Sequence, residues 1–271
     1  MPKLSLEGGS IKKEGLIGVN QNFAQVPLGD KGIAGERDDV LNPRMADNYG
    51  IWEHLQRYRY AAKRCKGRIL DVGCGTGYGT KMLSKEGNKV YGIDNSQKAI
   101  HYAKRNYPGP RYICCSAEKL PFENSYFDTV TAFEVIEHVQ DPERTLDEIY
   151  RVLKKNGDLF ISTPNLRSLI IRLKHFLFST PYFSHSGNIY HLREFYYEEF
   201  INFLKKKNFR IISVYGQRLP IPKIDFIIKK IPFFYKIPIL LGCPIPKYAM
   251  TIVVHTKSKK ENENIIHFTE F

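Results

Sequence analysis

Cysteine is scarce in this chain of 271 residues: five stand at positions 65, 74, 114, 115 and 243, an odd number with no CxxC pair. That pattern suggests neither a disulfide framework nor a zinc knuckle, and it makes a reducing cytoplasm the expected compartment. Also missing is any apolar run of the roughly 18–20 residues that a membrane span needs. Met1–Ser10 lacks the basic-then-apolar layout of a secretion signal, so the protein is expected to be neither secreted nor membrane-spanning. No internal repeat occurs at solenoid periods. Acidic residues are in short supply, 28 against 41 Lys and Arg, for a formal charge of +13. An excess of that sign suits nucleic acid or an anionic membrane surface. Much of it, however, lies in short runs such as Lys205-Lys206-Lys207 and Lys229-Lys230, which are usually solvated faces.

What is present is enough apolar residue, 42%, to bury a sizeable core. Residues 1–45 read as an N-terminal arm, residues 46–257 as one domain and residues 258–271 as a polar tail. Tyr49, Trp52, Leu55, Tyr58 and Ala62 recur at three- and four-residue steps, which predicts a helix over 48–63. Strand and helix patterns then alternate: strand 68–73, helix 77–86, strand 89–94, helix 96–106, strand 111–116, strand 127–133, helix 142–154 and strand 158–162. After an insertion over 166–191 come helix 194–207 and strand 209–215. A second insertion, 219–247, holds six prolines, and a last strand is expected over 248–255. Such alternation predicts an α/β fold, a doubly wound, Rossmann-like parallel sheet with helices on both faces.

The densest signal is Asp71-Val72-Gly73-Cys74-Gly75-Thr76-Gly77-Tyr78-Gly79, entered from the apolar strand Arg68-Ile69-Leu70. Glycines let a ligand lie directly on the main chain, and a helix start offers unpaired N–H groups. Some twenty residues later Lys89-Val90-Tyr91-Gly92-Ile93-Asp94 ends in an acidic residue, placed to accept from a ribose diol. On these mechanics alone NAD and S-adenosylmethionine fit equally.

The wording of the loop, with YGIDNS, SAEKLPF, FDTVTAFEVIEHV and LDEIYRVLKKNGDLFISTPN behind it, resembles the class I S-adenosylmethionine-dependent methyltransferases over residues 65–217. The resemblance implies a seven-stranded, mostly parallel sheet whose last strand is antiparallel beside the sixth. It also implies a donor site. Gly73, Cys74, Gly75 and Gly77 would pass under the methionine half, and Asp71 would orient the loop or meet the ammonium. Asp94 and its neighbour Asn95 would hold the ribose, Ala117 and Glu118 would line the adenine pocket, and Glu134 would face the donor from the fourth strand. Ser116 stands where the family usually has an aspartate that contacts the adenine amino group.

On the acceptor side, Glu134-Val135-Ile136-Glu137-His138 and the later His191-Leu192-Arg193-Glu194-Phe195 resemble the Mg²⁺-dependent O-methyltransferases of small RNAs and of the ubiquinone pathway. The resemblance implies Mg²⁺ or another divalent cation held by Glu134, Glu137, His138 and His191. Carboxylates with imidazole suit such an ion, which would lower the pKa of an acceptor hydroxyl and aim it. The alternatives are a metal-free site with His138 or His191 as general base, and a structural role for all four. Gly35-Glu36-Arg37, Glu53-His54-Leu55-Gln56-Arg57-Tyr58 and the HLREF stretch resemble methyltransferases encoded with glycosyltransferases, which implies a sugar or glycan acceptor. His54 and Arg57 lie either toward the cleft or on the helix surface.

The insertions mix aromatic, aliphatic and basic residues, as at a lipid interface, in a cap or at a dimer contact. The expectation is therefore an O-methyltransferase acting on a sugar or glycan, lipid-linked if the insertions rest at the inner face of a membrane. Rivals are RNA ribose methylation, weakened by the lack of a flanking RNA-binding module, methylation of a quinone or other aromatic, and a scaffold that binds the donor without catalysis. The core fixes the donor and not the acceptor atom.

Overall fold

The computed structural model describes residues 49–166, 192–217 and 246–260, the side chains of 49–52 excepted. The arm, both insertions, His191 and the tail beyond 260 lie outside the described residues. Within them the order is α1 (Tyr49–Ala62), β1 (Arg68–Val72), α2 (Tyr78–Leu83), β2 (Lys89–Asp94), α3 (Gln97–Asn106), β3 (Arg111–Cys114), β4 (Phe127–Phe133), α4 (Pro142–Val152), β5 (Leu153–Pro164), α5 (Tyr197–Lys206), β6 (Phe209–Gln217) and β7 (Thr251–Ser258).

The seven strands form one sheet ordered β3-β2-β1-β4-β5-β7-β6. β1 pairs in parallel with β2 and β4, and β3 and β5 continue the parallel run outward. β7 slots between β5 and β6, antiparallel to both, as expected of the last strand. Strands buried on both faces must be apolar throughout, and β1, with Ile69, Leu70 and Val72 all at 0% exposure, meets that demand. One face packs Leu70, Val72, Val130, Leu159 and Ile161 under α4 and α5. The other packs Ile69, Phe133 and Phe160 under α1.

Local chemistry sets the helix ends. Ser96 accepts the amide of Ala99 to start α3, and Asp141 accepts that of Arg144 to start α4, where Pro142 occupies the first turn. Several boundaries differ from expectation, three of them for a plain local reason. α2 stops at Leu83 rather than residue 86, because the chain turns at Gly87 with φ of 82° to feed β2. α4 passes straight into β5, which bends at Asn156 (φ 57°) before resuming its pairing with β4 at Asp158. β7 begins at Thr251, since Pro246–Tyr248 is a 3₁₀ turn.

Candidate methyl-donor and acceptor site

Because β1, β2, β3 and β4 are parallel, the loops after all four open at the same edge of the sheet, where ligands bind in open α/β folds. Gly75 lies there with φ of 52°, and a Cβ built on it would meet nothing within 4 Å. Its open face is therefore room for a ligand laid on the backbone. Gly73 serves the opposite need: a Cβ there would come within 2.4 Å of Val135 Cγ2, so the turn after β4 lies directly against the loop. Gly77 caps α2 without a side-chain hydrogen bond, leaving the helix start to the loop backbone. Thr76 is 3% exposed and its hydroxyl has no hydrogen-bond partner, a buried polar atom awaiting one.

Asp94 holds the cradle's shape. Its Oδ2 accepts the amide of Gly75 at 2.9 Å and its Oδ1 that of Ser96 at 2.9 Å. It is 4% exposed. Asp71 is placed differently. It is fully buried and accepts three hydroxyls, from Tyr58 at 3.1 and 3.2 Å, Thr80 at 2.6 Å and Thr131 at 2.6 Å. Burial pushes its carboxyl up to about 6 against the pull of those donors. Asp71 thus ties α1, α2 and β4 to the root of the loop, the orienting one of its two expected roles. Cys74 is buried, and burial raises its thiol well above the usual range.

Asn95 is exposed and its carbonyl lies 3.6 Å from the Cys114 thiol. Ala117 and Glu118 are half-buried beyond β3. Glu118 Oε1 accepts the amides of Gln140 and Asp141 at 2.9 and 3.2 Å, so it fastens this loop to the start of α4. Ser116 Oγ accepts the amide of Glu118 at 3.1 Å, a turn contact. Above the loop, Tyr78 Oη and His54 Nδ1 lie 2.7 Å apart. Burial, then the charge of Arg57, hold the His54 imidazole well below its ordinary value, hence neutral. An open glycine turn, an orphaned threonine hydroxyl and an acidic residue bonded to the loop fit S-adenosylmethionine.

Of the expected metal set, Glu134, Glu137 and His138 are among the described residues. Residues 134–140 form a turn, not a helix start, and Glu134 enters it at φ of 55°. Glu134 Oε1 accepts from Ser162 Oγ at 2.7 Å and lies 3.8 Å from Arg57 Nη2. Glu137 goes the other way, accepting from Thr163 Oγ1 at 3.2 Å with 0% exposure. Ser162 and Thr163 are successive residues of β5 and face opposite sides of the sheet, so the two carboxylates diverge. Burial, then the nearby Glu134, push Glu137 well above the usual carboxylate range. Among the described residues no three His, Cys, Asp or Glu side chains come together as an ion site. His191, the fourth, lies outside the described residues. His138 is half-buried at the same turn, with its amide bonded to Val135 O.

Both insertions leave from and return to this edge. Asn165 Nδ2 donates to the carbonyls of Lys247 and Ala249, each at 2.9 Å, and the amides of Leu192 and Arg193 donate to Glu137 O at 2.9 and 3.2 Å. Arg57, 5% exposed, donates from Nη1 to Gln217 Oε1 at 2.7 Å. Sequence reasoning missed Tyr58, Thr80, Thr131, Ser162 and Thr163 as parts of the site. Their partners lie 9 to 60 residues away in the chain, so no local pattern marks them.

Residues 70–161 match the family described as Methyltransferase domain. A probable S-adenosylmethionine-dependent methyltransferase of Mycolicibacterium smegmatis is 32% identical over 134 residues, 49% of this chain and 51% of that protein. A ubiquinone biosynthesis O-methyltransferase of Coxiella burnetii is 38% identical over 101 residues, covering 36% and 43%. The chain thus spans about half the length of the curated relatives it matches. Among solved structures, a possible histamine N-methyltransferase of Thermotoga maritima aligns with a TM-score of 0.52 at 23% identity, covering 80% of this chain and 97% of that one, a likeness of fold alone. Among the described residues no helix is long and apolar enough to cross a membrane. Loop, acidic partner and strand order are those of the class I methyltransferase fold, and residues 70–161 are similar to the methyltransferase domain family.

Proposed function

We propose that the protein transfers a methyl group from S-adenosylmethionine to a hydroxyl of a sugar or glycan. The observation that carries the transfer is the contact between the loops. The Glu134–Val135 turn lies against Gly73, so whatever binds beside Glu134 binds next to the donor. When bound, the cofactor supplies an electrophilic sulfonium methyl. The chain's own residues do the rest. Gly75 and the start of α2 seat the donor, Asp94 holds its ribose, and Glu134 and His138 are the described candidates to hold and take the acceptor's proton. Support for oxygen as the accepting atom is the stretch shared with an O-methyltransferase. Support for a sugar is the wording of Gly35-Glu36-Arg37, Glu53-His54-Leu55-Gln56-Arg57-Tyr58 and His191-Leu192-Arg193-Glu194-Phe195. A quinone or other aromatic acceptor is the second reading, favoured by the same relative's ubiquinone pathway. A lipid-linked glycan and shallow membrane contact rest on the composition of the insertions, and flotation with anionic vesicles at low salt tests them.

Calorimetric titration with S-adenosylmethionine tests the donor half. A donor-coupled assay against nucleotide sugars, glycans, catechols and tRNA tests the acceptor half. Methylation of a sugar hydroxyl is expected, whereas turnover on catechols alone would replace the sugar reading.

A further inference from the structure

Arg57 is a charged side chain that folding has hidden without satisfying. Its side chain keeps 4% of its surface, yet among the described residues only Nη1 makes a hydrogen bond, to Gln217. Nε has no partner. Nη2 faces Glu134 Oε1 across 3.8 Å, too far for a hydrogen bond. Leaving guanidinium donors unmade in the interior is costly, and natural cores rarely do so without a reason. Glu134 is held just as deliberately. Its backbone sits in the left-handed region, where a non-glycine residue is strained, and Ser162 fixes both its amide and its carboxylate. Strain of this kind persists where the surroundings over-determine a side chain's position.

The spacing lets one oxygen touch both groups. Lying to one side of the pair, it can be about 2.9 Å from Nη2 and from Oε1 at once. Such an oxygen must accept from the guanidinium and donate to the carboxylate, which is what a hydroxyl does and a carboxylate or phosphate does not. Nε shares an edge of the planar guanidinium with Nη2 and offers a further donor to a second oxygen on the same molecule. Val135, the next residue after Glu134, touches the donor loop at Gly73.

We propose that Arg57 is the cation of the acceptor site, and that the Arg57–Glu134 pair receives the acceptor hydroxyl between guanidinium and carboxylate in place of a divalent metal. This rests on the methyltransferase reading and deepens it. The hydroxyl oxygen's lone pair forms the O–CH₃ bond as the S–CH₃ bond breaks to leave a neutral thioether, and the hydroxyl proton passes to Glu134. Arg57 stabilises negative charge developing on the oxygen, the service otherwise asked of an ion. A second hydroxyl beside the first suits Nε, so the pair selects oxygen-rich acceptors carrying adjacent hydroxyls.

The test starts with unmodified protein, stripped of metal and saturated with S-adenosylhomocysteine. Mn²⁺ added alone and followed by electron paramagnetic resonance should keep the spectrum of the free ion. A bound-ion spectrum that Glu134→Gln abolishes would overturn the proposal. With the acceptor found in the assay panel, turnover should persist in EDTA. Arg57→Lys, which keeps the charge but loses the fork, should lower kcat/KM by about 100-fold or more. Its S-adenosylmethionine affinity should stay within about threefold of the parent. In Arg57→Ala, added guanidinium should restore part of the lost turnover and Mg²⁺ should not. Unchanged turnover in the Lys variant, with its melting curve intact, sinks the proposal. Failure of the parent protein to bind S-adenosylmethionine would sink the methyltransferase reading instead.

Discussion

Gly79 has ordinary helical dihedrals, so on backbone grounds Gly79→Ala should stabilise α2 by about 1 kcal/mol. The packing reverses that sign. A Cβ there would lie 2.1–2.5 Å from three atoms of the Tyr58 ring, well inside contact distance. The ring has nowhere to go. It packs edge-on to Phe133 at 5.0 Å between centroids and to Tyr78 at 5.8 Å, and its hydroxyl is tied to Asp71. Overpacking costs about 1–3 kcal/mol, and loosening a hydrogen bond to a buried carboxyl adds about 1.5–3 kcal/mol. After the helix gain, a net loss of roughly 1.5–5 kcal/mol remains, or a fall in Tm of about 3–20 °C for a domain of this size. A double-mutant cycle by chemical denaturation isolates the cause. In a Tyr58→Ala background the same change should cost nothing or stabilise by up to about 1 kcal/mol. Equal losses in both backgrounds would refute the reasoning.

Other expectations concern the charged groups. Asp94→Ala removes the acceptor from Gly75 N and from the ribose, so S-adenosylmethionine should bind about 100-fold more weakly by calorimetry. Asp71, raised from 3.8 to about 6, contributes stability that is complete below about pH 3.8 and lost as pH rises through about 6. Relative to Asp71→Asn, the parent should therefore lose about 2 kcal/mol between pH 4.5 and 7, and a difference flat across that range would contradict the assignment. Burial, then the nearby Glu134, push Glu137 well above its usual value, which favours its neutral form. Glu137→Gln should then change stability by under about 1 kcal/mol, whereas Glu137→Ala should cost several times more by opening a cavity beside Thr163.

The parts of this fold legible in the sequence are those whose cause is local. The strands from Arg68 to Phe133 announce themselves as apolar runs between turn residues, and Ser96 and Asp141 mark helix starts with their own side chains. The donor loop is equally plain, since three alternating glycines leave few alternatives. The acceptor side is less legible for a physical reason. Glu134 and Glu137 are three apart, a spacing that converges on a helix, but the positive φ at Glu134 starts a turn that sends them to opposite faces of β5. Arg57 shows the complementary failure. Its helix was legible, but its partners Gln217 and Glu134 arrive from 160 and 77 positions away, and nothing around residue 57 records them.

The stitching at Asn165, Leu192, Gln217 and Lys247 fixes where each insertion departs and lands. The two segments behave in this sense as cassettes plugged into a finished socket. Closing a loop costs little more as its length grows, so segments of other lengths could be spliced between the same anchors without disturbing Gly75 or Asp94. A grafted chimera should keep its affinity for the donor while changing what it methylates, and the route by which such a scaffold acquires new acceptors is then exchange of the segments between its anchors rather than revision of its core.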